Sequence, residues 1–137
     1  MKVLIDTNIV VDNLACRDEC EDSLNILNFC ESGRLEGVVS IITIMNVMHV
    51  LRKHLSSPKA RGAVLIFMQT VDIIPAHKSD INAALISNFS DFDDAVQAAC
   101  AARVKADYIV TRNVKDFKNS LVQAILPVDM LKLLQDL

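Results

Sequence analysis

Asp6, Asp91, Asp94 and Asp116, with Asn46, Thr111 and Asn113, are the residues of this sequence whose types and spacing suit chemistry. All of them offer oxygen. Asp6 sits in Asp6-Thr7-Asn8, directly after the apolar run Lys2 to Ile5. Asp91 and Asp94 are three apart on the first turn of a helix, which places them on one face. Thr111, Asn113 and Asp116 follow a second apolar run, Tyr108 to Thr111. Carboxylates crowded together repel one another, and a fold tolerates this mainly when a cation lies between them. Oxygen-only ligation selects Mg²⁺ or Mn²⁺ over zinc. Each acid also has an ordinary structural use. Asp6 can close a turn, Asp91 and Asp94 can favour a helix dipole, and Asp116 can cap the turn before Phe117. It is their joint placement that points to a cation.

That placement depends on the elements. Lys2 to Ile5 reads as a buried strand. Glu19 to Ser32 has helical periodicity, with Gly33 as its stop. Gly37 to Ser40 reads as a second strand, and Ile42 to Leu55 as a strongly apolar helix. Ser57-Pro58 opens another helix that runs to Thr70. Val71 to Pro75 is a third strand, and a helix follows from Lys78 to Ser87. Ser90, with Asp93 as a capping-box-like partner, starts a helix that runs to Val104. Tyr108 to Thr111 is a fourth strand and Ile125 to Val128 a weak fifth, after which Asp129 caps a last helix. No repeat or linker interrupts the chain, so residues 1–137 are expected to form a single domain.

Strands alternating with helices imply crossover connections. The fold expected is α/β, a three-layer α/β/α sandwich with a mostly parallel sheet of about five strands. Ligands bind beyond the carboxyl ends of such strands. Asp6, Asn46 and the segment Thr111 to Asp116 meet at that edge. Asp94 joins them only if the helix before it is short or lies across the edge, which spacing alone leaves open.

Composition narrows the partners. The chain has 137 residues and 52% hydrophobic content, enough for a core and too much for disorder. Aromatic residues make up 4%, so base-stacking platforms are scarce. The net charge is -3, so a nucleic acid must be held by a local basic patch or through a metal ion. Arg112 and Lys115 flank the proposed site and are placed to grip phosphates. The cluster Arg52-Lys53-His54 with Lys59 and Arg61 reads as a solvated helix junction. Cys16 and Cys20 have no second pair at zinc spacing, so the cysteines read as reduced, mostly buried thiols. His49, His54 and His77 share no helix face and read as ordinary packing or surface residues. With no signal peptide and no apolar run fit to span a bilayer, a cytoplasmic protein is expected.

The three acidic motifs resemble those of the PIN-domain nucleases. The resemblance rests on Asp6-Thr7-Asn8 after a first strand and on Asp91-Phe92-Asp93-Asp94-Ala95 before Ala98, Ala99, Ala101 and Ala102. It rests most of all on Tyr108-Ile109-Val110-Thr111-Arg112-Asn113-Val114-Lys115-Asp116-Phe117. It implies that Asp6, Asp94 and Asp116 bind Mg²⁺ or Mn²⁺, that Asp91 supports them and that Thr111 steadies the site. It implies that the helix bearing Asp94 starts at the active edge. It also implies hydrolysis of an RNA phosphodiester, leaving a 5′-phosphate and a 3′-hydroxyl; Asn46 and Asn113 are expected to orient water or phosphate. Many members are toxins of toxin–antitoxin pairs, so an antitoxin partner and a homodimer are expected.

The chain departs from the family in two places. It has Asn46 where the family usually has Glu, and Asn113 where Asp is frequent. An amide oxygen can accept a contact but carries no charge and takes no proton. The alternative reading is therefore a PIN-fold module that binds RNA or a protein partner without efficient cleavage. A receiver domain would need Asp at the end of the third strand, which closes Ile74-Pro75. A phosphatase would need a second acid at Asn8. Both are set aside.

Overall fold

The computed structural model describes residues 1–15 and 20–136. Its first strand, β1 (Lys2–Ile5), lies at the centre of a five-stranded parallel sheet. The sheet's order is β3-β2-β1-β4-β5, with β2 at Glu36–Ser40, β3 at Asp72–Ile74, β4 at Tyr108–Val110 and β5 at Ala124–Ile125. Side chains of β1 alternate between two cores, as successive residues of a strand must. Val3 and Ile5 pack with Val39 and Val110 on one face. Leu4 packs with Val38 and Ile109 on the other.

Helices cover both faces. The first core is completed by α1 (Thr7–Ala15), α2 (Glu21–Glu31), α3 (Ile41–Leu51), α4 (Ser57–Phe67) and α7 (Pro127–Gln135). The second is completed by α5 (Lys78–Leu85) and α6 (Phe92–Arg103), whose alanines 95, 98 and 101 let the helix lie close to the sheet. This is the three-layer α/β/α arrangement expected from the alternation of elements, and the sheet is parallel throughout. The chain steps from β1 to β2 and β3 on one side, then returns to β4 and β5 on the other. The reversal leaves a crevice beyond the carboxyl ends of β1 and β4.

The place of Asp94 follows from the α5–α6 pair. Asp80, on the first turn of α5, accepts from Arg103 Nε at 3.0 Å and from Cys100 Sγ at 3.4 Å, both at the end of α6. The two helices are therefore antiparallel neighbours, and α5 ends on the side where α6 begins. Because α6 leads into β4, it begins at the carboxyl edge. Burial alone would raise the Asp80 carboxyl, but the His77 N–H, Arg103 and Cys100 outweigh it and hold it below the usual carboxylate range.

Several boundaries differ from the sequence reading. Thr7–Ala15 is a helix that the pattern did not indicate. The cap of α6 is Asp91 rather than Ser90, with Asp91 Oδ1 accepting from the Asp94 N–H at 2.9 Å. The fifth strand stops at Ile125, because Pro127 opens α7 at its first turn, ahead of Asp129. The Gly33 stop holds: it takes φ +79 directly after the Ser32 cap, a conformation glycine adopts without strain. Cys30 and Cys100 are buried free thiols, pushed up to about 12 and about 11, first by burial. Cys16 and Glu19 lie outside the described residues.

Candidate metal centre

Asp6 leaves β1 with its backbone still in the sheet: its N–H donates to Val110 O at 3.0 Å. Its side chain is 5% exposed and takes four hydrogen bonds. The Thr7 N–H (2.7 Å) and Gln97 Nε2 (2.9 Å) donate to Oδ1. Thr111 Oγ1 (2.7 Å) and Asn8 Nδ2 (3.1 Å) donate to Oδ2. The fully buried Thr111 hydroxyl in turn accepts from the Asn113 N–H at 3.0 Å. Behind Gln97 the bonding continues inward. Thr43 Oγ1 donates to Gln97 Oε1 at 3.2 Å and lies 3.2 Å from Ser40 Oγ, which caps α3. The carboxylate at the end of β1 is thus fixed by residues from α1, α6 and the end of β4.

A cleft of about 330 Å³ opens above it. Asp6, Asp91, Asp93 and Asp94 line it, together with Asn8, Asn46, Gln97 and Asn113. Asp94 is pushed up to about 7, first by burial and then by the charges of Asp6, Asp91, Asp116 and Asp93. Asp116 is exposed on a single 3-10 turn, Val114–Phe117. It faces a neighbouring cleft that shares Asn113, and acts on Asp94 through its charge. Asp91 spends Oδ1 on capping α6.

The sequence-selected residues thus fall into three positions. Asp6, Asp94, Asp91, Asn46 and Asn113 share the cleft; Thr111 lies beneath it, bonded to Asp6; Asp116 stands at its rim. Asn46 is half-buried and faces the cleft, not the packing of α3, whose buried residues are Thr43, Val47 and Leu51. Gln97 and Asn8 were missed. Asn8 is two residues beyond Asp6. Gln97 follows Asp94 by three, and that helical spacing was the available signal. Of the basic residues, Arg112 also answers to Asp12, a buried acid whose Oδ2 lies 3.2 Å from its Nε.

Oxygen donors of this kind suit a hard divalent cation. Among the described residues no three His, Cys, Asp or Glu side chains are grouped closely enough to form a ready-made cage. Asp94 is raised first by burial and then by repulsion from its neighbouring acids, and a cation would oppose that repulsion. Four donors fill the four lone-pair positions of Asp6, so an ion at this carboxylate has to take the place of one of them.

A fixed carboxylate amid further acids, at the reversal point of a parallel α/β sheet, makes an oxygen-rich acidic centre. The chain belongs to the PIN domain family, whose model matches residues 2–115. Solved structures agree on the fold. A toxin–antitoxin complex from Klebsiella pneumoniae is 26% identical, with TM-score 0.69, over 91% of this chain and 97% of that one. DNA-bound VapBC from Salmonella typhimurium is 16% identical, with TM-score 0.72, over 93% of this chain and 98% of that one. A sarcin–ricin loop cleaving toxin from Mycobacterium tuberculosis is 13% identical, with TM-score 0.64, over 78% and 86%. No curated protein sequence matches.

Proposed function

We propose that this protein is a metal-dependent ribonuclease, the toxin of a toxin–antitoxin pair, that hydrolyses phosphodiester bonds of single-stranded RNA. The observation that carries the reading is the acidic cleft itself: Asp6 held by four hydrogen bonds at the switch point, with Asp94 raised first by burial and then by four neighbouring carboxylates. Membership of the PIN family and the likeness to an RNA-cleaving toxin support it. The likeness to toxin–antitoxin complexes supports an antitoxin partner.

Asp6, Asp94 and Asp116 would hold Mg²⁺ or Mn²⁺, with Asp91 as a supporting acid. When bound, such an ion neutralises charge building on the phosphate and acidifies the attacking water. Thr111 and Gln97 keep the Asp6 oxygens pointed at the cleft. Asn46 and Asn113 orient water or phosphate. Single-domain organisation over residues 1–137, a cytoplasmic location and a homodimer belong to the same reading. No described helix is long and apolar enough to cross a membrane. Ile41 and Met45 leave apolar surface exposed on α3, which suits a second copy.

Asn46 favours a second reading, a module that binds RNA or a protein partner and cleaves inefficiently, because a neutral amide lines the cleft where a carboxylate is usual for the family. A cleavage assay separates the two. Asp6→Asn, Asp94→Asn and Asp116→Asn should each abolish Mg²⁺- or Mn²⁺-dependent cleavage of single-stranded RNA while melting cooperatively. Pairs of these substitutions should cost no more than one, because ligands act as a unit. Full activity in any one variant removes that residue from the site, and an inactive wild type that still binds RNA favours the second reading.

A further inference from the structure

Asn113 lines a second cleft beside the acidic one, of about 460 Å³, whose walls include Arg112, Lys115, Val114 and Leu126 as well as Asp116. A chain of net charge -3 with a cleft full of carboxylates repels an RNA backbone, so attraction must come from local cations. Arg112 is placed to supply it. Its backbone N–H donates to Asn8 Oδ1 at 3.4 Å, and Asn8 is itself bonded to Asp6. Its Nε lies 3.2 Å from Asp12 Oδ2 on α1, and Asp12 is 1% exposed. A guanidinium carries five N–H donors, so an ion pair through Nε does not exhaust it. The side chain is 45% exposed. Arg112 is therefore anchored at one end and open at the other, and loses little freedom on gripping an anion. Lys115 adds an exposed second charge, and Val114 and Leu126 offer apolar walls to a sugar. Asp116 opposes these cations in the same cleft, at the edge where the ion is proposed.

We propose that this second cleft is the subsite for the backbone phosphate of the nucleotide next to the scissile bond, gripped by Arg112 and Lys115, with Asp12 as the residue that positions Arg112. The inference rests on the ribonuclease reading of the acidic cleft. Its geometric support is independent of that reading: a cleft that carries Arg112 and Lys115 and borders the acidic one at the shared Asn113. One strand crossing both would place adjacent phosphates in each.

The test is binding of a short fluorescent single-stranded RNA in EDTA, where cleavage is off, as a function of KCl. Arg112→Ala should weaken binding about tenfold, or ~1.4 kcal/mol. It should also lower the slope of log K against log salt by about 0.7, the signature of one lost phosphate contact on a single strand. Lys115→Ala should lower the slope likewise and carries the test if Arg112→Ala does not fold. Asp12→Asn keeps the arginine charge, so it should weaken binding with the slope preserved, a result that general destabilisation does not produce. With Mg²⁺ present, Lys115→Ala should raise KM and leave kcat unchanged. Slopes equal to wild type in both Arg112→Ala and Lys115→Ala overturn the subsite while the ribonuclease reading stands. So does a wild type that cleaves with Mg²⁺ but has no affinity in EDTA. A wild type that neither binds nor cleaves RNA overturns both.

Discussion

Asp6 is held by side chains that approach it from both sides of the sheet's reversal point, and two of them make testable demands. Gln97→Leu removes the donor to Asp6 Oδ1 and the Gln97 acceptor of the Thr43 hydroxyl, which keeps Ser40 Oγ as its partner. Losing a hydrogen bond costs about 0.5–1.5 kcal/mol, and more where the acceptor is charged. The melting temperature should fall accordingly, and metal affinity should fall with it; an unchanged affinity would show that Asp6 needs no help from α6. Asn46→Glu tests the other side. Because Asn46 lines the cleft and is only half-buried, the new carboxylate should raise Mn²⁺ affinity with little loss of stability. Each tenfold gain corresponds to ~1.4 kcal/mol. Calorimetric titration beside thermal melts reads both quantities, and destabilisation without a gain in affinity would make Asn46 a structural residue.

At the scale of the element, the first turn of α6 combines two tasks. Asp91 caps the helix by accepting from the Asp94 N–H. Asp91→Ala should therefore cost about 0.5–2 kcal/mol in melts. Asp91→Ser should restore most of that, since serine caps as well, while removing the charge. If Mn²⁺ affinity in Asp91→Ser equals wild type, Asp91 serves the helix alone and not the ion. The same turn explains what the sequence concealed. Asp91 and Asp94 were legible as a one-face pair, but not the division of labour between cap and site, because a cap is a backbone geometry. Gln97 was hidden among alanines, and its meaning appears only when Thr43 and Asp6 arrive from far along the chain. The Arg112–Asp12 pair spans 100 positions and leaves no local pattern. The α1 helix was missed because it carries no acid in its first turn and no base in its last. Strands were easier: β1, β2 and β4 are apolar runs buried on both faces, which gave the parallel sheet and the carboxyl edge where Asp6 and Thr111 stand.

For the whole molecule, the acidic cleft should leave its mark on stability without metal. Asp94 is pushed up to about 7, first by burial and then by Asp6, Asp91, Asp116 and Asp93. An unfolded Asp titrates near ~3.9. Between those values the folded chain keeps a proton that the unfolded chain releases. The stability this group contributes is therefore full below about pH 3.9 and is lost as pH rises toward about 7. In EDTA, wild type should lose stability relative to Asp94→Asn across that window, and the two pH profiles should differ by that decline. Parallel profiles would place Asp94 in an ordinary environment. Adding Mg²⁺ or Mn²⁺ at neutral pH should raise the wild-type melting temperature by mass action, and Asp94→Asn should lose most of the increment.

Hydrolysis of RNA in the acidic cleft with the help of a divalent ion should show itself in the ends of the products. Single-stranded RNA incubated with the wild-type chain in Mg²⁺ or Mn²⁺ should yield fragments with a 5′-phosphate and a 3′-hydroxyl, and EDTA should stop their formation. Fragments that end in a 2′,3′-cyclic phosphate and persist in EDTA would contradict it, because that outcome needs an attacking 2′-hydroxyl and no ion held by Asp6, Asp94 and Asp116.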